Sequence, residues 1–238
     1  MGVLPRYCRL KYTQGNSNSQ QKTKIIKKMN ITIIGASAGI GLEAVKRGLN
    51  RHHSITTLSR SEIEIQEKKS INMLLGDATN KVDLVHAIQN ADALIITLGT
   101  GKNMKATTLF SDFAKLLVEI HNENKITIPV IFVTGFGAGE SKNYVSWLVK
   151  LFLNYFLKDV YADKTKMEEI ITNSDLHWTV VRPGRLLDKE LTEKYRTENT
   201  LFKGINIGGI NRADVADFLI KQAENHTELK KFVALSEK

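Results

Sequence analysis

From Met29 onward the chain alternates short, wholly apolar β-branched runs with stretches of helical period. Ile31–Ile34 reads as a first strand, after which Leu42, Val45 and Leu49 repeat at the spacing of one helix face. Ile55–Leu58 and Ile71–Leu75 read as the second and third strands, Lys81–Gln89 as a short helix, and Ala93–Leu98 as the fourth strand. Leu109, Phe110, Phe113, Leu117 and Ile120 line one side of a longer helix, and Pro129–Thr134 follows as the fifth strand. A helical stretch from near Tyr144 to Asn173, bent or divided near Lys158–Val160, precedes a sixth strand at Trp178–Val181. Asn211, with Asp214 three residues on, predicts a helix N-cap ahead of Val215, Phe218 and Leu219, and Phe232–Leu235 closes as a last strand. Strands that are apolar throughout, rather than alternating, belong to a sheet covered on both faces. The pattern therefore predicts one α/β domain over residues 29–238, a doubly wound parallel sheet with helices on both faces.

Composition changes this picture at one end. The net charge of the 238 residues is +9, but Arg6, Arg9, Lys11, Lys22, Lys24, Lys27 and Lys28 stand in a stretch without Asp or Glu. Residues 29–238 are nearly balanced, so no basic face for nucleic acid is expected. The stretch 1–28 reads as a disordered leader; its basic, acid-free composition weakly suggests mitochondrial import, against a default cytoplasmic location. The single cysteine, Cys8, lies there, which rules out a disulfide within the chain. The longest apolar segment, Val145–Leu157, is interrupted by Lys150 and Asn154 and is too short to span a bilayer, so no stable membrane insertion is expected. A core, substrate-cover or subunit-contact helix is the preferred reading over an interfacial one. The six histidines have no metal-ligand spacing.

Candidate chemistry begins directly after the first strand, at Gly35-Ala36-Ser37-Ala38-Gly39-Ile40-Gly41. A glycine turn that opens a helix places free backbone N–H groups and the positive end of the helix dipole where a pyrophosphate can sit. Gly35 suits the tight turn, Gly39 the approach of phosphate to backbone, and Gly41 the packing of helix on strand; Ser37 adds a hydroxyl, with Ala38 and Ile40 completing the cradle. This strand–loop–helix unit marks a Rossmann-type dinucleotide site, spaced G-x-x-x-G-x-G. The second strand ends Leu58-Ser59-Arg60-Ser61, without the acid that usually accepts from the adenosine ribose. An arginine there suits a 2′-phosphate, so NADP(H) is expected over NAD(H), with Ser59 assisting. Asp77, after the third strand, is placed to accept from the adenine amine, and Ala78 leaves room for the ring. Leu98-Gly99-Thr100-Gly101-Lys102 looks superficially like an ATPase phosphate loop, but Ile96 and Asn103 stand where that motif needs Gly and Ser or Thr.

Taken in order, these segments resemble the atypical short-chain dehydrogenases/reductases, specifically the NAD(P)H-binding group with flavin reductase/biliverdin-IXβ reductase and the NmrA-like proteins. Further matches are Val133-Thr134-Gly135, Ala162-Asp163-Lys164, Val181-Arg182-Pro183-Gly184 and Asn211-Arg212-Ala213-Asp214. The resemblance implies an NADP pocket that also uses Leu98, Gly99 and Thr100, with a nicotinamide end framed by Thr134, Gly135, Lys164, Pro183, Gly184 and Arg185. It departs from the group in three ways. The Tyr-x-x-x-Lys pattern is absent from residues 29–238, since Tyr161 precedes Lys164 by three; Gly135 stands where flavin-reductase relatives have serine; and the glycine spacing, with Ala38 and Gly39, follows the typical dehydrogenases more closely.

The chemistry that follows is reduction by hydride from the nicotinamide, for which the protein positions the ring and excludes water. Without a dedicated tyrosine acid, a conjugated acceptor of flavin or quinone type fits better than a simple ketone. Thr134 and Lys164 are the candidate catalytic residues, and Asp163 and Tyr161 are weaker ones. The partner is a small-molecule substrate, the chain a monomer or homodimer. The rival reading is a non-catalytic NADP(H) sensor or assembly protein of NmrA-like type.

Overall fold

The computed structural model describes residues 27–66, 70–101 and 106–238. The basic stretch up to residue 26, Cys8 within it, and Lys102 and Asn103 lie outside the described residues.

Eight strands form one sheet in the order β3-β2-β1-β4-β5-β6-β10-β8. In chain order they are β1 (Asn30–Ile34), β2 (Ser54–Ser59), β3 (Ile71–Leu75), β4 (Ala93–Ile96), β5 (Pro129–Val133), β6 (His177–Pro183), β8 (Tyr195–Glu198) and β10 (Lys231–Glu237). All neighbours are parallel except β8, which runs antiparallel to β10 at the edge. β7 (Arg185–Leu187) and β9 (Gly209–Asn211) pair separately, also parallel. Among the described residues six α-helices complete the fold: α1 (Gly39–Asn50), α2 (Lys81–Ile88), α3 (Leu109–Asn124), α4 (Trp147–Phe156), α5 (Lys158–Thr172) and α6 (Arg212–Glu224).

The buried positions divide into two layers, which is why the strands are apolar on both sides. Ile31, Ile33 and Ile95 face α1 and α6, while Ile34, Leu94, Ile96 and Phe132 face α2, α3 and α5. α1 and α6 are pinned at the far end of the sheet by Arg51, whose Nε and Nη2 each donate to Glu224 at 2.6 Å. His53 meets the same carboxylate at 2.8 Å. The chain order reverses beside β1, between β2 and β4, so a crevice opens at the carboxyl ends of these strands.

Four features differ from the expectation drawn from the pattern, whereas the long helix breaks where the pattern placed the break, dividing at Leu157 into α4 and α5. β7, β8 and β9 are short, polar or glycine-bearing, and carry no apolar period to announce them. The fourth strand stops at Ile96, so Thr97 and Leu98 leave the sheet and enter the crevice wall. Asn211 does occupy the N-cap position of α6, yet its side chain makes no capping bond. It donates instead to Asp214 at 3.0 Å, and Asp214 accepts from the N–H groups of Thr192 and Glu193, tying down the loop before β8. Finally, α4 is not a core helix: it buries Leu153 and turns Trp147, Leu151 and Tyr155 outward.

Candidate functional site

The crevice at the switch point is a cleft of about 680 Å³. Its floor begins with the glycine turn. Gly35 adopts φ +88° and donates its N–H to Leu58 O at 3.0 Å, and any Cβ there would lie 2.8 Å from Thr97 O. Gly41 lies buried beneath, where a Cβ would come within 2.3 Å of Gly35 O and 2.6 Å of Thr97 Oγ1. Thr97 holds the turn from the other side, its hydroxyl shared between Ile34 O and Gly35 O at 3.1 and 3.2 Å. The turn thus needs no side chain of its own at positions 35 and 41, and has no room for one.

α1 starts with an unusual vacancy of capping groups. Ala38 at its N-cap offers no side-chain acceptor, and the first turn contains no acid. First-turn N–H groups have no partner inside a helix, so these donors face the cleft together with the positive end of the dipole. Arg212, at the start of α6, reaches over the same point: its Nε lies 3.7 Å from where a Gly39 Cβ would stand, and its Nη1 pairs with Asp188 at 2.5 Å. A diphosphate group fits this donor set. The arrangement offers backbone N–H groups, a guanidinium and no competing carboxylate from α1.

Along the β2–β3 side, Ser59, Arg60, Asp77 and Ala78 line the cleft. Ser59 donates to Ser61 O at 2.8 Å, so its hydroxyl is committed to the turn that presents Arg60. Asp77 accepts from the N–H and the hydroxyl of Thr79, both at 2.8 Å and both on Oδ1. Those bonds, with the nearby Arg60 charge, hold its carboxyl below the usual range. The exposed Arg60 guanidinium thus stands near an ionised carboxylate along this side of the cleft.

At the opposite end, side chains take over from backbone. Thr134, Lys164 and Pro183 line the cleft. Lys164 donates from Nζ to Thr134 O at 2.6 Å and lies 5.2 Å from the Phe110 ring centre and 5.4 Å from that of Tyr161. Burial between those rings lowers its ammonium to about 8, against the raising influence of Glu168. The Thr134 hydroxyl donates to Glu168 Oε1 at 2.7 Å. Glu168 is itself fully paired behind the site, accepting from Arg182 Nε at 3.1 Å and Nη2 at 2.8 Å, with the guanidinium stacked 3.9 Å over Phe232. The Thr134 hydroxyl therefore has its one proton engaged with Glu168.

The remaining expected residues are placed as follows. Ser37, Ala38, Gly39, Ile40, Leu98, Gly99 and Thr100 line the cleft. Gly41 and Gly135 lie behind it. Gly184 packs against Gly208 O, and Arg185 is exposed on β7, away from the cleft wall. At Gly135 a Cβ would stand 2.8 Å from the Tyr161 hydroxyl, so the ring fills the space that a serine side chain would need. Burial pushes that phenol above its ordinary range. Asp163 points away from the site and accepts from Phe110 N at 2.8 Å and Ser111 N at 3.3 Å, capping α3 from α5. No group of His, Cys, Asp or Glu that could hold a metal occurs among the described residues.

Sequence reasoning gave no role to Thr97, Glu168, Arg182 or Arg212. Two signals were present. Arg182 interrupts an apolar strand, and a buried guanidinium requires a carboxylate. Glu168 lies four residues after Lys164, on the same helix face.

A family model described as NAD(P)H-binding matches residues 35–226. In Bacillus subtilis the protein YhfK, described as an uncharacterized sugar epimerase, is 27% identical over 219 residues, covering 86% of this chain and 92% of its own. Among solved structures, an anaerobillin reductase from Escherichia coli superposes with a TM-score of 0.72 at 21% identity, over 87% of this chain and 97% of the other. A wide-type short-chain dehydrogenase/reductase from Veillonella parvula, solved in complex with NADP, gives 0.71 at 18% identity, over 88% and 94%.

Proposed function

Since the chain belongs to the NAD(P)H-binding family, we propose that it is an NADPH-dependent reductase of a small conjugated acceptor, of the flavin, quinone or linear tetrapyrrole kind. The observation that carries this reading is the presence, in one cleft, of an α1 N-terminus without capping groups and of Lys164 beside Thr134.

When bound, NADPH supplies a hydride; the residues of this chain hold it and manage charge around the acceptor. The first-turn amides of α1 and Arg212 hold the diphosphate, and Arg60 the 2′-phosphate. Thr134 offers an acceptor to the carboxamide N–H of the nicotinamide, because its own proton is committed to Glu168. Among the described residues Lys164 is the cationic donor beside Thr134 in the lining. Its ammonium, at about 8, is mostly protonated at neutral pH and is close enough to its transition to give up a proton to an acceptor that has taken on negative charge. A delocalised acceptor asks for no more than this.

The test is to mix the purified protein with NADPH and FMN, riboflavin, quinones or a linear tetrapyrrole, and to follow absorbance of the reduced nicotinamide. Rapid oxidation with one of them supports the reductase. Tight NADPH binding with no turnover across the whole panel would favour the sensor instead, to which the engaged Thr134 proton and the Gly135–Tyr161 packing also lend weight.

A further inference from the structure

Helix α4 buries one side chain, Leu153, and exposes nearly every other apolar group it has. Trp147 is 72% exposed, Tyr155 80%, and Leu148, Leu151, Phe152 and Phe156 between 48% and 61%. At 100° per residue these six occupy a continuous arc covering roughly half the helix circumference. The four aromatic rings alone offer roughly 500 Å² of apolar surface, comparable with the largest patch on an ordinary monomer before the leucines are added. Surface of that kind on a folded protein has a use or a partner.

The charges around it narrow the choice. From Ser141 to Lys158 the chain contains Lys142, Lys150 and Lys158 and no carboxylate. Lys203, beside the exposed Phe202, lines a groove with Val145 and Val149 at the start of the same helix. None of the four lysines makes an ion pair among the described residues. A second copy of this chain, docked by a two-fold axis, would set these four lysines against their own images, with Glu140 and Asp159 as the flanking acids and an excess of positive charge left over. A surface of anionic phospholipid supplies both complements at once, hydrocarbon for the arc and phosphate oxygen for the ammonium groups. At ten residues α4 is about 15 Å long, half a hydrocarbon core, and no helix among the described residues is long and apolar enough to cross one.

We propose that α4, with Lys142, Lys150, Lys158 and Lys203, seats the protein in the plane of an anionic phospholipid surface. The inner face of α4 rests on the loop after β5, where a Gly137 Cβ would lie 2.5 Å from Leu153 Cδ1. That loop continues from Thr134, so a seated molecule holds the acceptor end of its cleft beside the lipid. The seating itself does not depend on which acceptor the cleft takes.

Flotation of the full chain with vesicles tests this, using phosphatidylcholine alone or with roughly 30 mol% phosphatidylglycerol. The protein is expected to float with the anionic vesicles only, and Trp147 emission to shift to the blue on binding, a change lost in Trp147→Phe while buried Trp178 still reports the fold. Neutralising Lys142, Lys150 and Lys158 together by substitution with Gln should weaken binding about a hundredfold, about fivefold per charge. Leu151→Asp with Tyr155→Asp should abolish it, with the thermal midpoint and NADPH affinity unchanged. Three results would each overturn the proposal. They are absence of binding by the parent chain at low salt, binding that persists in the double aspartate variant and so belongs to the basic N-terminal residues, and a solution dimer dissolved by Leu151→Asp, which would make a second copy the occupant.

Discussion

At one end of the cleft the chain offers backbone, from the glycine turn between Gly35 and Ile40. At the other it offers side chains gathered from β5, α5 and β6, and each is positioned by a neighbour from another element. The first kind of site is local, rigid and indifferent to most side chains, so it tolerates drift elsewhere in the molecule. The second is a network in which Arg182 fixes Glu168, Glu168 fixes Thr134, and the Thr134 carbonyl fixes Lys164. Damage there should travel through the fold, whereas damage at the glycine turn should stay with the cofactor.

The largest effect tests this directly. Glu168→Ala leaves the buried Arg182 guanidinium with only the exposed Glu140, 3.5 Å away, and should cost about 3–5 kcal/mol of stability, read by urea denaturation. Glu168→Gln, which keeps one acceptor, should cost less. If both are neutral, the network is not what holds this end together. Next, Gly41→Ala forces a Cβ against Gly35 O and Thr97 Oγ1. A loss of about 1–3 kcal/mol is expected from the overpacking, together with loss of both NADPH and NADH binding in calorimetry. Retained cofactor binding would separate the turn from the phosphate site.

Arg60→Ala should weaken NADPH by about 1–3 kcal/mol, the scale of a lost charged hydrogen bond, and leave NADH nearly unchanged. Equal weakening of both would remove Arg60 from the 2′-phosphate. The smallest effect concerns protons. Because the Lys164 ammonium is lowered to about 8, its charge is present below that pH and disappears above it. Turnover should therefore fall as pH rises through about 8, and Lys164→Met should be slow and lack this alkaline limb. A limb that survives in the methionine variant would have to come from another group.

The same contrast explains what could be read from the chain. Strand–turn–helix around Gly35 is encoded in consecutive residues, and Ile31–Ile34 and Leu42–Leu49 announce it through periodicity alone. Arg60, Asp77 and Ala78 fall at strand ends, where position along the chain converts simply into position around the sheet. Thr134 and Lys164 were legible only through the family resemblance, and their working state was not legible at all. It depends on pairs 34 and 14 residues apart, Thr134 with Glu168 and Glu168 with Arg182, that no periodicity connects. Asp163 shows the opposite failure. Its place next to Lys164 suggested chemistry, while its carboxylate caps a different helix. The edge strands β7 to β9 were missed because their few residues are held by pairing with distant segments rather than by any pattern of their own.

That cap carries a mechanical consequence. Asp163 fastens the first turn of α3, where Leu109 forms part of the cleft wall, to the same turn of α5 that bears Lys164. The two jaws at this end are thus bolted together through one carboxylate, and neither can swing without taking the other along.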